Sequence, residues 1–239
     1  MNVEFLDPPS SHDRARKVIA ELAKQVELYP GDAQPSLVAT VDTAYGFEAE
    51  EVFACAVVTT FPEIELVERA YARQNTPFPY IPGLLCFREG PVMLKALAKL
   101  QKTPDMLIIS GHGLAHPQGC GIACTIGLAT GIPAIGCSLR LLCGKHRRVD
   151  EVKGSSQPIM LDNRKVGLAY RSKDNVKPIF ISPGHKTSLD QSLDIIVRNL
   201  RGFRMPEPLR MAHLFVNKYK RKTEEKNKRG RNRRDPVPA

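Results

Sequence analysis

Four short peptides carry side chains whose types and spacing could do chemistry. Asp42 interrupts the apolar, β-branched run Val38-Ala39-Thr40-Val41-Asp42-Thr43-Ala44-Tyr45. A carboxylate inside such a run is costly unless it is paired or metal-bound; the plainer reading is a strand-end aspartate facing solvent. Glu89 stands in Phe87-Arg88-Glu89-Gly90-Pro91, just ahead of a predicted helix, where the helix macrodipole alone would account for it. His112 and His116 flank a glycine-rich turn, as surface or hydrogen-bonded histidines unless a site recruits them. In Phe78-Pro79-Tyr80-Ile81-Pro82-Gly83 two prolines lock an aromatic and an aliphatic residue into a stiff, exposed turn. Stiff apolar wedges of this kind can insert between base steps of a duplex. A proline-rich loop crossing a core is the alternative.

The elements that must position these residues follow from periodicity. Residues 10–29 read as a helix with the stripe Val18, Ile19, Leu22, Ala23 and Val26, stopped by Pro30-Gly31. Residues 36–44, 52–61 and 64–73 read as strands, the last two a hairpin turning at Phe61-Pro62-Glu63. Residues 74–90 look irregular, and 91–102 a helix. Met106-Leu107-Ile108-Ile109 is a continuous apolar run, the mark of a buried central strand, and it ends at Ser110. A helix over 119–130, a strand over 132–137, a strand pair at 166–171 and 178–182, and helices over 187–202 and 208–219 complete the pattern. Antiparallel strands followed by alternating β and α predict an α/β fold. Its mixed sheet would have five to six strands and helices on both faces. Ligands of such sheets bind outside the carboxyl ends of the strands.

Length and charge set the outer bounds. At 239 residues, one domain plus a tail is expected: a domain over 1–217 and a basic, disordered tail over 218–239. The tail holds ten Lys/Arg against three Asp/Glu and so carries +7 of the net +10. A basic tail on a near-neutral body points to a polyanionic partner, or to a solubilising segment. None of the six cysteines forms a Cys-x-x-Cys pair. Four of them, Cys120, Cys124, Cys137 and Cys143, lie near His112, His116 and His146, so a metal cluster is conceivable. Small buried thiols in a reducing compartment fit better. No apolar run reaches the ~18 residues of a membrane helix, and the first thirty residues show no signal core. A cytoplasmic, monomeric protein without membrane contact is expected.

Taken together, these peptides resemble the endonuclease V family, the deoxyinosine-specific repair nucleases. The resemblance rests on Val41-Asp42-Thr43-Ala44-Tyr45, on Pro79-Tyr80-Ile81-Pro82-Gly83 with Phe87-Arg88-Glu89-Gly90-Pro91, and on Gly111-His112-Gly113-Leu114-Ala115-His116-Pro117. It continues through Gly121-Ile122-Ala123, Ile132-Pro133-Ala134-Ile135-Gly136, Leu142-Cys143-Gly144, Gly154-Ser155, the stretch from Pro178 to His185, and Pro206-Glu207-Pro208-Leu209-Arg210. The pieces keep the family's order over about residues 10–217. The resemblance implies a ribonuclease H-like fold and hydrolysis of the second phosphodiester on the 3′ side of inosine. Asp42 and Glu89 would hold Mg²⁺ or Mn²⁺, and His213 would stand near the metal. Tyr80, within Pro79, Ile81 and Pro82, would fill the gap left by a flipped base. Gly83, Leu85, Gly111, His116, Gly121, Ile122 and Leu142 would bind the substrate, with glycines allowing close backbone approach.

Two positions depart from the family pattern. Where the family places a second metal-binding aspartate, this chain has Ser110, which leaves a neutral hydroxyl as a weak metal ligand. Where the family usually has a lysine, this chain has Leu139, and the adjacent Arg140 would face the other way if the strand continued. Three readings follow: a working nuclease that tolerates Ser110, a catalytically impaired protein that binds inosine-containing DNA or RNA, and a repurposed scaffold docked through its tail. The retained wedge, carboxylates and pocket glycines favour the first two.

Overall fold

The computed structural model describes residue 6 and residues 8–29, 34–47 and 50–232, apart from the side chains of 228–232. One eight-stranded mixed sheet, in the order β3-β2-β1-β4-β5-β8-β7-β6, organises the chain. The strands are β1 (Leu37–Tyr45), β2 (Glu51–Thr60), β3 (Leu66–Asn75), β4 (Met106–Ser110), β5 (Ala134–Ser138), β6 (Ser156–Leu161), β7 (Arg164–Tyr170) and β8 (Ile179–Pro183). β1, β4 and β5 run parallel at the centre; every other pairing is antiparallel. The helices are α1 (His12–Ala23), α2 (Leu85–Leu97), α3 (Ile122–Thr130), α4 (Leu189–Arg198) and α5 (Glu207–Asn232).

Alternation along β1 distributes the two faces. Ala39 and Val41 join α1, α2 and α3 in the larger core, whereas Val38 and Ala44 face α4 and α5. β2 is covered on both sides, so its interior residues are buried without alternation. The class read from the sequence holds, and the ribonuclease H-like expectation with it, but the sheet has eight strands rather than five to six: all seven segments that read as strands join it, and an eighth is added. The strand with no counterpart in the sequence reading is β6. Its half-exposed run Ser-Gln-Pro-Ile-Met-Leu carries Pro158, which is tolerable only because β6 is an edge strand.

Two helix boundaries move in ways that matter for the site. α2 begins at Leu85, not at 91, and carries Pro91 in its interior. The proline that reads as a helix start therefore sits a turn and a half inside, and Glu89 is a buried mid-helix carboxylate rather than a helix-start one. α5 continues far beyond 219. Its first half buries Leu209, Ala212 and Val216, and Tyr219 then stacks near Phe53 and Tyr71. The segment expected to be a disordered tail is thus helical backbone as far as Asn232, while 233–239 lie outside the described residues, as do Pro30 and Gly31. α1 is shorter than expected but uses the expected stripe: Ile19 and Leu22 are buried, with Ala15, and the Ser11 hydroxyl accepts from Arg14 N–H at 3.2 Å as its cap. No helix among the described residues is long and apolar enough to cross a membrane.

Candidate active site

The carboxyl ends of the three parallel strands open into a cleft of about 650 Å³. β1 delivers Asp42, β4 delivers Ser110, and the chain leaving β5 delivers Ser138 to Leu142. Val41 is paired with Ile109, so Asp42 and Ser110 are the next residues along two neighbouring strands and share a face of the sheet. α5 covers that face. Its His213 meets Asp42 with Nδ1 2.9 Å from Oδ2. This hydrogen bond to the carboxylate lifts the His213 pKa above its ordinary value.

Glu89 arrives from α2 on the other side. The Tyr45 hydroxyl donates to its Oε1, and Thr43 also hydrogen-bonds its carboxylate. Burial pushes the Glu89 pKa up to about 7, and the nearby Asp42 charge adds to the rise against those two hydrogen bonds. Burial first, then the Glu89 charge, also raises Tyr45, which stays a neutral hydroxyl donor. Two buried carboxylates close enough to perturb each other, with the Ser110 hydroxyl between strands, make a hard-oxygen donor set. It suits a small dication that keeps several waters and shares substrate phosphate oxygens. The fit is lean. Among the described residues no group of three or more His, Cys, Asp or Glu is arranged to hold a metal ion, and that includes the cysteines between 120 and 143. All six thiols are free; five are buried and Cys143 is half-buried.

The proline loop forms the rim. Phe78 is buried, with its ring centroid 5.6 Å from that of Phe87, and its carbonyl accepts from the Arg88 guanidinium. Tyr80, two residues on, is 64 % exposed. The loop is therefore neither wholly exposed nor a core crossing: Phe78 anchors it and Tyr80 is presented. Its far end is fixed by His116. The Gly83 carbonyl can only accept, so Nε2–H donates to it at 2.9 Å, and Nδ1 accepts from Gln118 N–H at 3.2 Å. Both ring nitrogens are used and burial keeps the ring neutral, so His116 lines the cleft as a loop clamp. Gly83 has φ +84°, a backbone conformation that excludes most side chains.

His112 acts similarly on the segment that leaves β5. Its Nε2–H donates to the Arg140 carbonyl at 2.9 Å, and burial lowers its pKa to about 4. Gly121 is demanded by protein packing rather than by a ligand, since a Cβ there would stand 2.2 Å from the His112 carbonyl oxygen.

Every site residue implied by the family resemblance lines the cleft except Pro79, which is exposed beside it, whereas Cys124, Cys143 and His146 of the conceivable metal cluster do not. Tyr45, Thr43, His112 and Arg140 were not assigned a role there. Tyr45 lies three positions from Asp42 on a strand, so alternation sends the two to opposite faces, and only the buried placement of Glu89 brings them into one site. β5 ends at Ser138, and Leu139 and Arg140 lie in a bend. The strand argument that turned Arg140 away from the site therefore fails: Arg140 lines the cleft and is exposed.

The Endonuclease V family model matches residues 20–214. The chain belongs to the endonuclease V family. Relatives include endonuclease V of Dictyoglomus turgidum, 42% identical over 204 residues (85% of this chain, 89% of the relative), and of a Roseiflexus species, 38% identical over 218 residues (91% and 97%). The structure of endonuclease V from Streptomyces avermitilis superposes with a TM-score of 0.85 at 33% identity, over 90% of this chain and 96% of that one. Ciona intestinalis endonuclease V, solved with a 23mer DNA containing an inosine followed by a ribo-adenosine, superposes with a TM-score of 0.79 at 26% identity (88% and 97%). The chain is an endonuclease by this membership, and DNA repair is the function it supports.

Proposed function

We propose that this endonuclease V-family chain hydrolyses a phosphodiester bond near inosine in DNA or RNA, with Asp42 and Glu89 as the metal-holding pair and Ser110 as a weaker third oxygen. The observation that carries the reading is the convergence of two buried carboxylates, from β1 and α2, on one cleft whose rim presents the exposed Tyr80. Mg²⁺ or Mn²⁺, when bound, supplies an activated water and charge stabilisation at the phosphate. The chain's own groups do the rest. Tyr45 and Thr43 orient Glu89, and His213 holds Asp42 through its hydrogen bond. Tyr80 occupies the space of an extruded base, held out by the Phe78 anchor and the His116 clamp on Gly83. The glycine-walled inner cleft, with Leu85, Gly111, Ile122 and Leu142, receives the flat base.

A second reading, binding without efficient cleavage, is favoured by one observation: Ser110 puts a neutral oxygen beside Asp42 where a third carboxylate would strengthen the cation site. Oligonucleotides with a single inosine, in DNA and RNA forms, decide between the two when cleavage and gel shift are read in the same samples with Mg²⁺ and then Mn²⁺. The chain is read as a monomeric cytoplasmic protein whose basic C-terminal segment adds non-specific nucleic-acid contact.

A further inference from the structure

Arg140 is the only lysine or arginine that lines the cleft among the described residues. Its main chain is held on three sides. His112 Nε2–H and the Ser138 hydroxyl both donate to the Arg140 carbonyl, at 2.9 and 3.0 Å, and Arg140 N–H donates to Ser138 Oγ at 3.3 Å. The guanidinium, by contrast, makes no hydrogen bond, ion pair or ring contact with the described residues. The other arginines near this wall are engaged: Arg204 donates to the carbonyls of Lys177, Pro178 and Leu139, and Arg210 pairs with Glu207 at 2.6 Å while stacking on Phe203. A fixed backbone that carries a cation with no partner among the described residues leaves that guanidinium available to an anion. The same cleft carries Asp42 and Glu89, which repel a polyanion, so a backbone phosphate entering here gains from a cation in the cleft lining.

We propose that Arg140 is a phosphate-binding residue of this cleft, gripping a substrate phosphodiester through its guanidinium while His112 and Ser138 fix the main chain that carries it. This rests on the reading of the cleft as a nucleic-acid site. Leu139 beside it is apolar, so Arg140 is the residue through which this wall meets the strand electrostatically.

The test measures binding of the full chain to oligonucleotides with and without inosine, across a salt series, for the wild type, Arg140→Gln, Arg140→Lys, and Arg164→Gln as an exposed cation outside the cleft. Arg140→Gln is expected to weaken binding about tenfold at 0.1 M salt and to flatten the salt slope by about one phosphate contact. Arg140→Lys should recover most of the affinity, and melting temperatures should not move, because the guanidinium has no partner to lose among the described residues. Replacing single phosphodiesters around the inosine by neutral methylphosphonates should locate one position that weakens the wild type but not Arg140→Gln. Equal affinity of Arg140→Gln and wild type, or a loss no larger than that of Arg164→Gln, overturns the assignment. Wild-type binding without inosine preference refutes the proposed function, yet the Arg140 effect on the plain oligonucleotide still decides this inference. No oligonucleotide binding at all refutes both.

Discussion

Restoring a carboxylate beside Asp42 tests the metal site through stability as well as rate. Val41 pairs with Ile109 on parallel strands, which lie about 4.8 Å apart, so Ser110→Asp would set a second carboxylate about 5 Å from Asp42. Two unit charges at that distance repel by about 3 kcal/mol at an effective dielectric of ~20. In EDTA the variant should therefore melt about 6–12 °C below the wild type, since 1 kcal/mol moves the midpoint by roughly 2–4 °C in a chain of this size. A dication reverses the sign of that charge's contribution. The Mg²⁺ concentration giving half-maximal thermal stabilisation should fall about 10²-fold if most of the 3 kcal/mol is recovered as attraction, and cleavage at low Mg²⁺ should rise with it. Thermal unfolding in EDTA and along a Mg²⁺ titration, with cleavage of an inosine oligonucleotide in parallel, reads all three quantities. A folded variant with an unchanged Mg²⁺ midpoint and unchanged cleavage would refute the claim that Ser110 weakens a cation site at this position.

Three further outcomes are expected. Tyr80→Ala should leave the melting temperature within about 1 °C, because the ring is largely exposed and Phe78 anchors the loop, while inosine-selective affinity falls about tenfold, the worth of one base-stacking contact; an unchanged selectivity would remove Tyr80 from the base gap. Glu89→Gln should raise metal-free stability at pH 8 and leave it unchanged at pH 4. With the folded pKa raised to about 7, the wild type matches its unfolded state below about pH 4.5 and loses on the order of 3 kcal/mol as pH rises to 7; denaturant unfolding in EDTA whose pH profiles stay parallel would contradict this. Truncation after Asn227 removes five Lys/Arg and should flatten the salt dependence of nucleic-acid binding without lowering stability. A cut directly after Val216 would instead strip Tyr219 from its packing on Phe53 and Tyr71, so only the longer form isolates the charge; an unchanged salt slope would leave the segment as a solubility element.

Uniform burial makes the central strands legible, and amphipathic stripes do the same for α1 and α4. The apolar runs of β1, β2, β4 and β5 read as strands because both faces of the central sheet are covered, and the Ser110 and Ser138 ends of β4 and β5 mark the cleft. Proline misled in two places. Pro91 reads as a helix start but lies inside α2, which hid the buried character of Glu89, and Pro158 masks the edge strand β6. The catalytic candidates were visible as residue types, whereas their supports were not. Tyr45 reaches Glu89 only because α2 and β1 meet at the sheet end, and His116 and His112 use their rings on the carbonyls of Gly83 and Arg140, pairings across 33 and 28 residues that no local pattern encodes. Strand alternation does not apply to Arg140, which lies two residues past the end of β5. The basic stretch after Lys218 was read from charge alone, and the packing of Tyr219 that continues the helix is tertiary.

The central claim is that Asp42 and Glu89 form a hydrolytic centre acting beside inosine. Its most direct test is cleavage of end-labelled DNA and RNA oligonucleotides carrying one inosine, with Mg²⁺ or Mn²⁺, by the wild type and Asp42→Ala, alongside an inosine-free control. Inosine-dependent cleavage by the wild type, lost in Asp42→Ala, is the expected result. Cleavage that survives Asp42→Ala, or that ignores the inosine, would contradict the account.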